Sequence, residues 1–215
     1  MGESGDKIFA DLCGKPVLVR SLEAFAEADC IGQIAVVTRE DKIEAVRGLI
    51  REYGIEKVVG VAAGGRDRAE SVRNGLAVLC DEQDSHAIPE YIAIHDGARP
   101  LVTPDLIGRV VKAAEIHRAA IPAVPVRDTV KTVSDGFVEA TPSRESLLAA
   151  QTPQVFDLQL YREVTGKTAH LEVTDDSMVM ESHGIGVKIV EGESRNIKIT
   201  APDDLITARA FLREA

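Results

Sequence analysis

Apolar runs of strand length alternate with amphipathic stretches of helix length along most of the chain. The strand-like runs fall at 33–38, 58–62, 91–94 and 120–126. Between them, 41–53 carries Ile43, Val46, Leu49 and Ile50 at helical spacing, and 66–79 carries Ala69, Val72, Leu76 and Leu79. Thr103-Pro104-Asp105 announces a helix over 104–118 through a cap, a proline at the first helical position and an N-terminal acid. An earlier helix over 16–28 places Pro16 at its first position and turns Val17, Leu18, Leu22 and Phe25 inward. Strands separated by helices of this length predict βαβ units, right-handed crossovers and an α/β fold with a parallel sheet flanked by helices.

The alternation breaks after residue 128. The segments 129–133 and 137–141, joined by Ser134-Asp135-Gly136, read as a hairpin with no helix between its strands. This inserted β-arm, about 128–150, has two readings: a lid on its own sheet, or an arm that packs on another subunit. Short helices are expected at 157–166 and 175–182, the second capped by Thr174, and strands at 186–191 and 196–199. Thr200-Ala201-Pro202-Asp203-Asp204 opens a last helix. No repeat, low-complexity tract or linker interrupts the chain, so 1–215 reads as a single domain.

Charge and composition remove whole classes of function. A net charge of -10 with no continuous basic face excludes a nucleic-acid surface. No apolar run reaches the 18 residues a membrane helix needs, so no membrane partner is expected. Cys13, Cys30 and Cys80 are odd in number and lack metal-ligand spacing, which reads as free thiols in a reducing cytosol and a cytoplasmic protein.

In an open parallel sheet, polar groups at strand ends converge along one edge. Here these are Gly64-Gly65-Arg66 through Ser71, Asp96 to Arg99, Arg127-Asp128-Thr129, Gln151-Thr152-Pro153-Gln154 and Asn196-Ile197-Lys198. The run 91–94 ends in His95-Asp96-Gly97-Ala98-Arg99-Pro100. Asp96 can hold a metal or anchor a substrate, Gly97 lets a ligand approach the backbone, and Arg99 can fork onto phosphate oxygens. Gly64 and Gly65 ahead of a helix that carries Ser71 suit close contact with a base or phosphate, although a plain turn fits them equally. Lys7 and Lys198 are candidate cations. Lys198 is the stronger, because alternation between Ile197 and Ile199 turns it to the opposite face. The set suits transfer of a nucleotidyl group, where positioned cations and Mg²⁺ stabilise charge growing at phosphorus. His95 reads as structural, and Asp175-Asp176 as acids complementing a helix dipole in preference to a metal site.

Six motifs occur in order: Gly64-Gly65-x-x-Arg68-x-x-Ser71-Val72-x-x-Gly75-Leu76; His95 through Pro100; Pro125-Val126-x-Asp128-Thr129-x-Lys131; Gln151-Thr152-Pro153-Gln154-x-Phe156; Thr174-Asp175-Asp176; and Asn196-Ile197-Lys198-Ile199-Thr200 with Pro202-x-Asp204-Leu205. Together they resemble the 2-C-methyl-D-erythritol 4-phosphate cytidylyltransferases of the non-mevalonate isoprenoid pathway. The resemblance implies a Rossmann-like, mostly parallel sheet with a β-arm that interlocks two subunits, and transfer of a cytidylyl group from CTP to the polyol phosphate with a divalent cation, Mg²⁺. It further implies Lys7 and Lys198 as transition-state cations, Gly65 and Ser71 at cytosine, and Asp96 at the ribose, metal and substrate region. Arg99, Thr129, Arg144, Thr152 and Lys198 fall on the substrate-phosphate side, with Thr129 and Arg144 serving the neighbouring subunit.

The family opens with a strand and a glycine-rich loop that cradles the triphosphate, and Met1-Gly2 matches only the end of that loop. The expectation is that both lie upstream of Met1; the contrary reading is a non-catalytic dimer. A ribitol-5-phosphate cytidylyltransferase is the nearest alternative of the same chemistry. Arg66 stands where the family commonly has an acid, and Gly97 where it has alanine.

Overall fold

The computed structural model describes residues 7–81, 88–166 and 175–214. In chain order its strands are β1 (Asp11–Leu12), β2 (Lys15–Pro16), β3 (Ile34–Thr38), β4 (Val58–Ala63), β5 (Tyr91–Ile94), β6 (Ala119–Pro125), β7 (Thr132–Ser134), β8 (Phe137–Ala140), β9 (Leu148–Ala150), β10 (Gln154–Asp157) and β11 (Lys188–Glu191). The helices are α1 (Val17–Glu27), α2 (Ile43–Glu52), α3 (Arg68–Leu79), α4 (Pro104–His117), α5 (Leu158–Thr165), α6 (Asp176–Ser182) and α7 (Pro202–Arg213).

The main sheet runs β11-β6-β10-β5, with β9 also on β6. β11 is parallel to β6, while β10 is antiparallel to both β6 and β5. β5, β6 and β11 therefore share one direction, and β10 is a reversed strand between β5 and β6. The sheet is mixed but mostly parallel in direction. β3 and β4 form a separate parallel pair. Between β3 and β5 lies a cavity of about 590 Å³, lined by Val36, Val37, Ile92 and Ala93 with Leu22 and Phe25 from α1.

Period-2 alternation on β10 divides the core. Val155 packs with Phe25 of α1 and Leu106, Ile107 and Val110 of α4 on one face. Phe156 packs with Tyr161 and Val164 of α5 and Met180 of α6 on the other. Both side chains are fully buried, and burial of groups this size stabilises by roughly 1.5–3 kcal/mol each. The result is helices on both faces of the sheet, which leaves strand ends as the place for polar chemistry.

Several local expectations are corrected. Pro16 is the N-cap of α1, not its first residue. α3 begins at Arg68 because Asp67 caps it, accepting from the Glu70 N–H. β9 and β10 were not expected; both are short. Residues 196–199 form no strand: Ile199 donates one bond to the Ala98 carbonyl, and the expected alternation still buries Ile199 and exposes Lys198. Asp175 caps α6 by accepting from the Met178 N–H; the expected cap Thr174 lies outside the described residues. The hairpin forms, but its first strand is Thr132–Ser134, so 129–131 stay outside it and Ser134 pairs with Phe137 in place of joining the turn; the register shifts between Thr132 and Val133.

Candidate active site

The C-terminal end of β5 delivers Asp96 into a cavity of about 730 Å³ shared with Gly64, Gly65, Arg68, Ser71 and Gly97. Three cations surround this one carboxylate. Lys198 Nζ is 3.1 Å from Oδ2, Arg99 Nε is 3.4 Å from Oδ2, and Arg68 Nη1 is 3.7 Å from Oδ1. Burial works against ionisation of Asp96, but Lys198, then Arg99 and Arg68, outweigh it and hold the carboxyl below its usual range. Asp96 and the Asp176 that holds Arg68 together answer two of these three cations, which leaves the cluster one positive charge in surplus. Such a site is suited to an anionic ligand.

The turn after β5 is fixed from behind. Arg99 N–H bonds to the Asp96 carbonyl, and Arg99 Nη1 donates to the Asn196 carbonyl at 2.8 Å. Asn196 is fully buried and donates to the Thr152 carbonyl at 2.9 Å. Ser21 of α1 donates to the Gly97 carbonyl at 3.1 Å. The Thr152 hydroxyl accepts from the Asp96 N–H and contacts His95 Nδ1, so in this structure it is used inside the protein.

Gly65 and Ser71 meet directly, the Gly65 N–H donating to Ser71 Oγ at 3.0 Å. Ser71 Oγ in turn donates to the Asp67 carbonyl. Gly64 donates to the Thr38 carbonyl, tying the loop to the end of β3. Lys7 is brought beside the same segment as Lys198, its ammonium donating to the Thr200 carbonyl. Thr129 and Arg144 lie on the exposed arm; Arg144 donates to the Arg127 carbonyl, and neither joins the Asp96 cluster of its own chain.

Arg68, Gln154 and Asp176 lie within the six motifs, the first two also in stretches expected to converge, but none of them was given a role in the site, and Tyr161 was not singled out. Arg68 and Asp176 are 108 positions apart, so no local spacing could pair them. Asp176 is buried and takes Arg68 Nε at 2.9 Å, Arg68 Nη2 at 2.6 Å and the Tyr161 hydroxyl at 2.8 Å. Asp175 caps α6 and Asp176 is the acid of its first turn, as the helix-dipole reading has them; Asp176 in addition holds an arginine.

As for a metal, no group of three or more His, Cys, Asp or Glu side chains converges among the described residues. Asp96 offers a single carboxylate crowded by cations. It can add one oxygen to a magnesium ion carried by ligand phosphates, which is the ordinary mode for that ion, but it cannot form a magnesium cage alone.

A family model described as IspD, 2-C-methyl-D-erythritol 4-phosphate cytidylyltransferase, matches residues 1–214. A relative of that name from Dehalococcoides mccartyi (strain CBDB1) is 42% identical over 213 residues, covering 99% of this chain and 90% of the relative. Another, from Rubrobacter xylanophilus, is 46% identical, covering 96% of this chain and 87% of that protein. The crystal structure of 4-diphosphocytidyl-2C-methyl-D-erythritol synthase from Anaerococcus prevotii superposes with a TM-score of 0.85 at 30% identity, covering 97% of this chain and 94% of its own. The cytidylyltransferase of Thermus thermophilus gives 0.78 at 31%, covering 98% and 95%. With the motifs, the sheet and the strand-end cluster all in place, the chain belongs to the 2-C-methyl-D-erythritol 4-phosphate cytidylyltransferase family.

Proposed function

We propose that this chain transfers the cytidylyl group of CTP to 2-C-methyl-D-erythritol 4-phosphate, a step of isoprenoid biosynthesis. A phosphate oxygen of the polyol attacks the α-phosphorus of CTP in line; the bond to the β-phosphate breaks and diphosphate leaves. The observation that carries this reading is the single carboxylate Asp96 among Lys198, Arg99 and Arg68. Two phosphorylated substrates bring several negative charges, and Lys198, Arg99 and Arg68 are already gathered around Asp96 to receive them.

Within that reading, Lys198 and Lys7 stabilise the charge that grows on the α-phosphate, while Arg99 and Lys198 hold the polyol phosphate. Gly64, Gly65 and Ser71 form the nucleobase wall. Gly97 gives the ligand access to the backbone. Thr152 supports the polyol-phosphate side by fixing the Asp96 backbone. Mg²⁺ supplies charge neutralisation on the phosphates, and Asp96 is the carboxylate that can reach it.

The working unit we propose is a homodimer of single-domain chains joined through the arm. Val133, Phe137 and Val138 on the hairpin are 62–77% exposed, large apolar side chains of the kind that a subunit contact covers. Thr129 and Arg144 then serve the partner's site. The proposed setting is the cytoplasm, in keeping with free Cys13, Cys30 and Cys80 and with no helix among the described residues long and apolar enough to cross a membrane.

The test is diphosphate release from CTP with Mg²⁺ and either 2-C-methyl-D-erythritol 4-phosphate or ribitol 5-phosphate at equal concentration. Preference for the first is expected. Release with ribitol 5-phosphate alone, or with neither, would remove the reading. The comparisons do not favour the ribitol phosphate or the non-catalytic alternative.

A further inference from the structure

Arg68 is the first residue of α3, and its side chain is built into the site from outside it. One edge of the guanidinium, Nε and Nη2, is held by Asp176 Oδ2. Asp176 is itself fixed: Oδ1 takes the Tyr161 hydroxyl, and its backbone N–H donates to Gln154 Oε1 at 3.0 Å. The third nitrogen, Nη1, is the one nearest Asp96, which lines the same cavity as Arg68. At 3.7 Å from Asp96 Oδ1 it is within ion-pair range but beyond hydrogen-bond range, and among the described residues it makes no hydrogen bond. Arg68 thus spends two nitrogens on a buried anchor and presents the remaining one to whatever enters beside Asp96.

Resting on the cytidylyltransferase reading, we propose that Arg68 binds a phosphate oxygen of the nucleoside triphosphate and that Asp176 is its positioning residue. A lysine cannot take both parts. Its single ammonium would either stay with Asp176 or reach the ligand, whereas the planar fork does both at once. Place points to the nucleotide, since Arg68 shares its cavity with the nucleobase wall of Gly64, Gly65 and Ser71 while Arg99 is tied to the 196–198 segment; the charge of the guanidinium selects a phosphate oxygen of that nucleotide over its base. The Asp96 contact, long and without a hydrogen bond, is the one an incoming phosphate displaces; the Asp176 contact, short and buried, persists. Asp176 therefore acts on the ligand only through Arg68.

Kinetics of the full chain with Arg68→Lys and with Asp176→Asn test this. A charge-assisted hydrogen bond lost to one substrate predicts roughly a 10-fold or larger rise in KM for CTP with Arg68→Lys, while KM for the polyol phosphate stays within about twofold. Asp176→Asn, which keeps the side chain's shape but loosens the fork, is expected to raise KM for CTP in the same direction by a smaller factor. Because both changes remove one interaction, the double variant should fall well short of the product of the singles. Calorimetric titration of each variant with CTP reads the same loss without turnover. Unchanged CTP affinity in both variants, with only the melting temperature lowered, would overturn the proposal and leave the pair as a brace between α3 and α6. A product-like double variant would overturn it as well. Failure of the wild-type chain to release diphosphate would instead strike the cytidylyltransferase reading, and that result appears in a separate arm.

Discussion

The hydroxyl of Thr152 lies 2.9 Å from Nδ1 of His95, and the surrounding bonds settle which atom carries the proton. The Arg99 carbonyl, 3.3 Å from Nε2, can only accept, so the neutral ring carries its hydrogen on Nε2; Nδ1 then accepts from the Thr152 hydroxyl, which itself accepts from the Asp96 N–H. The neutral ring ties the start of the Asp96–Arg99 turn to its end and packs on Phe25, with ring centroids 4.8 Å apart.

From this follows a pH dependence of stability. Burial, only partly offset by its hydrogen bonds, lowers the His95 pKa to about 4. Below about pH 6.5 the unfolded chain takes up a proton that the folded chain refuses, so the native state loses stability as pH falls from there towards 4, by up to about 3 kcal/mol. Urea unfolding at pH 7.5, 6 and 5 should show this slope, and His95→Gln should reduce it. Parallel slopes for the two proteins would contradict the assignment.

Lys198→Ala is expected to lower kcat by roughly 100-fold or more, the scale for loss of a charge placed at a transition state. Stability should change little. The lysine side chain is nearly half exposed, and Asp96 keeps Arg99 and Arg68 when it goes. Matched losses of turnover and melting temperature would mark Lys198 as structural.

The arm predicts complementation. If Thr129 and Arg144 reach a neighbour's site, Arg144→Ala and Lys198→Ala proteins are each inactive alone, but a mixed dimer has one intact site. After subunit exchange of equal amounts, about a quarter of the wild-type rate should return. No recovery, with co-purification through an affinity tag carried by one variant showing that mixed dimers form, would assign Arg144 to its own chain. A Val133→Ser, Phe137→Ser double variant should run as a monomer.

How much of this was legible beforehand depends on how local the signal is. Asp96 at the end of 91–94 and the outward face of Lys198 follow from strand length and period 2, and both hold; for Lys198 the alternation survives even though 196–199 forms no ladder. β10 was missed because four residues, Gln154–Asp157, do not outweigh the polar groups around them, and the pairing that makes them a strand is supplied by β5 and β6 from far along the chain. The Arg68–Asp176 pair was invisible for the same reason: each residue has a bland local role as an early helix residue, and only the approach of α3 to α6 joins them.

Two glycines at the ligand wall should respond differently to a methyl group. A methyl on Gly65 would sit 2.3 Å from Glu70 Cβ and 2.2 Å from its Cγ. Glu70 cannot simply swing away: its carboxylate takes the Arg66 N–H at 2.8 Å and its own N–H is held by the capping Asp67. The first turn of α3 must therefore shift, and with it the 3.0 Å bond from Gly65 to Ser71 and the aim of Arg68. A methyl on Gly97 meets only Leu18 Cδ1 at 3.1 Å, the end of a flexible side chain that can give by a few tenths of an ångström. Gly65→Ala should thus weaken CTP binding by roughly 10-fold, the scale of one hydrogen bond to a ligand, and Gly97→Ala by clearly less. Equal losses in calorimetric titrations of the two variants would show that the wall at Gly65 tolerates movement and does not read the base.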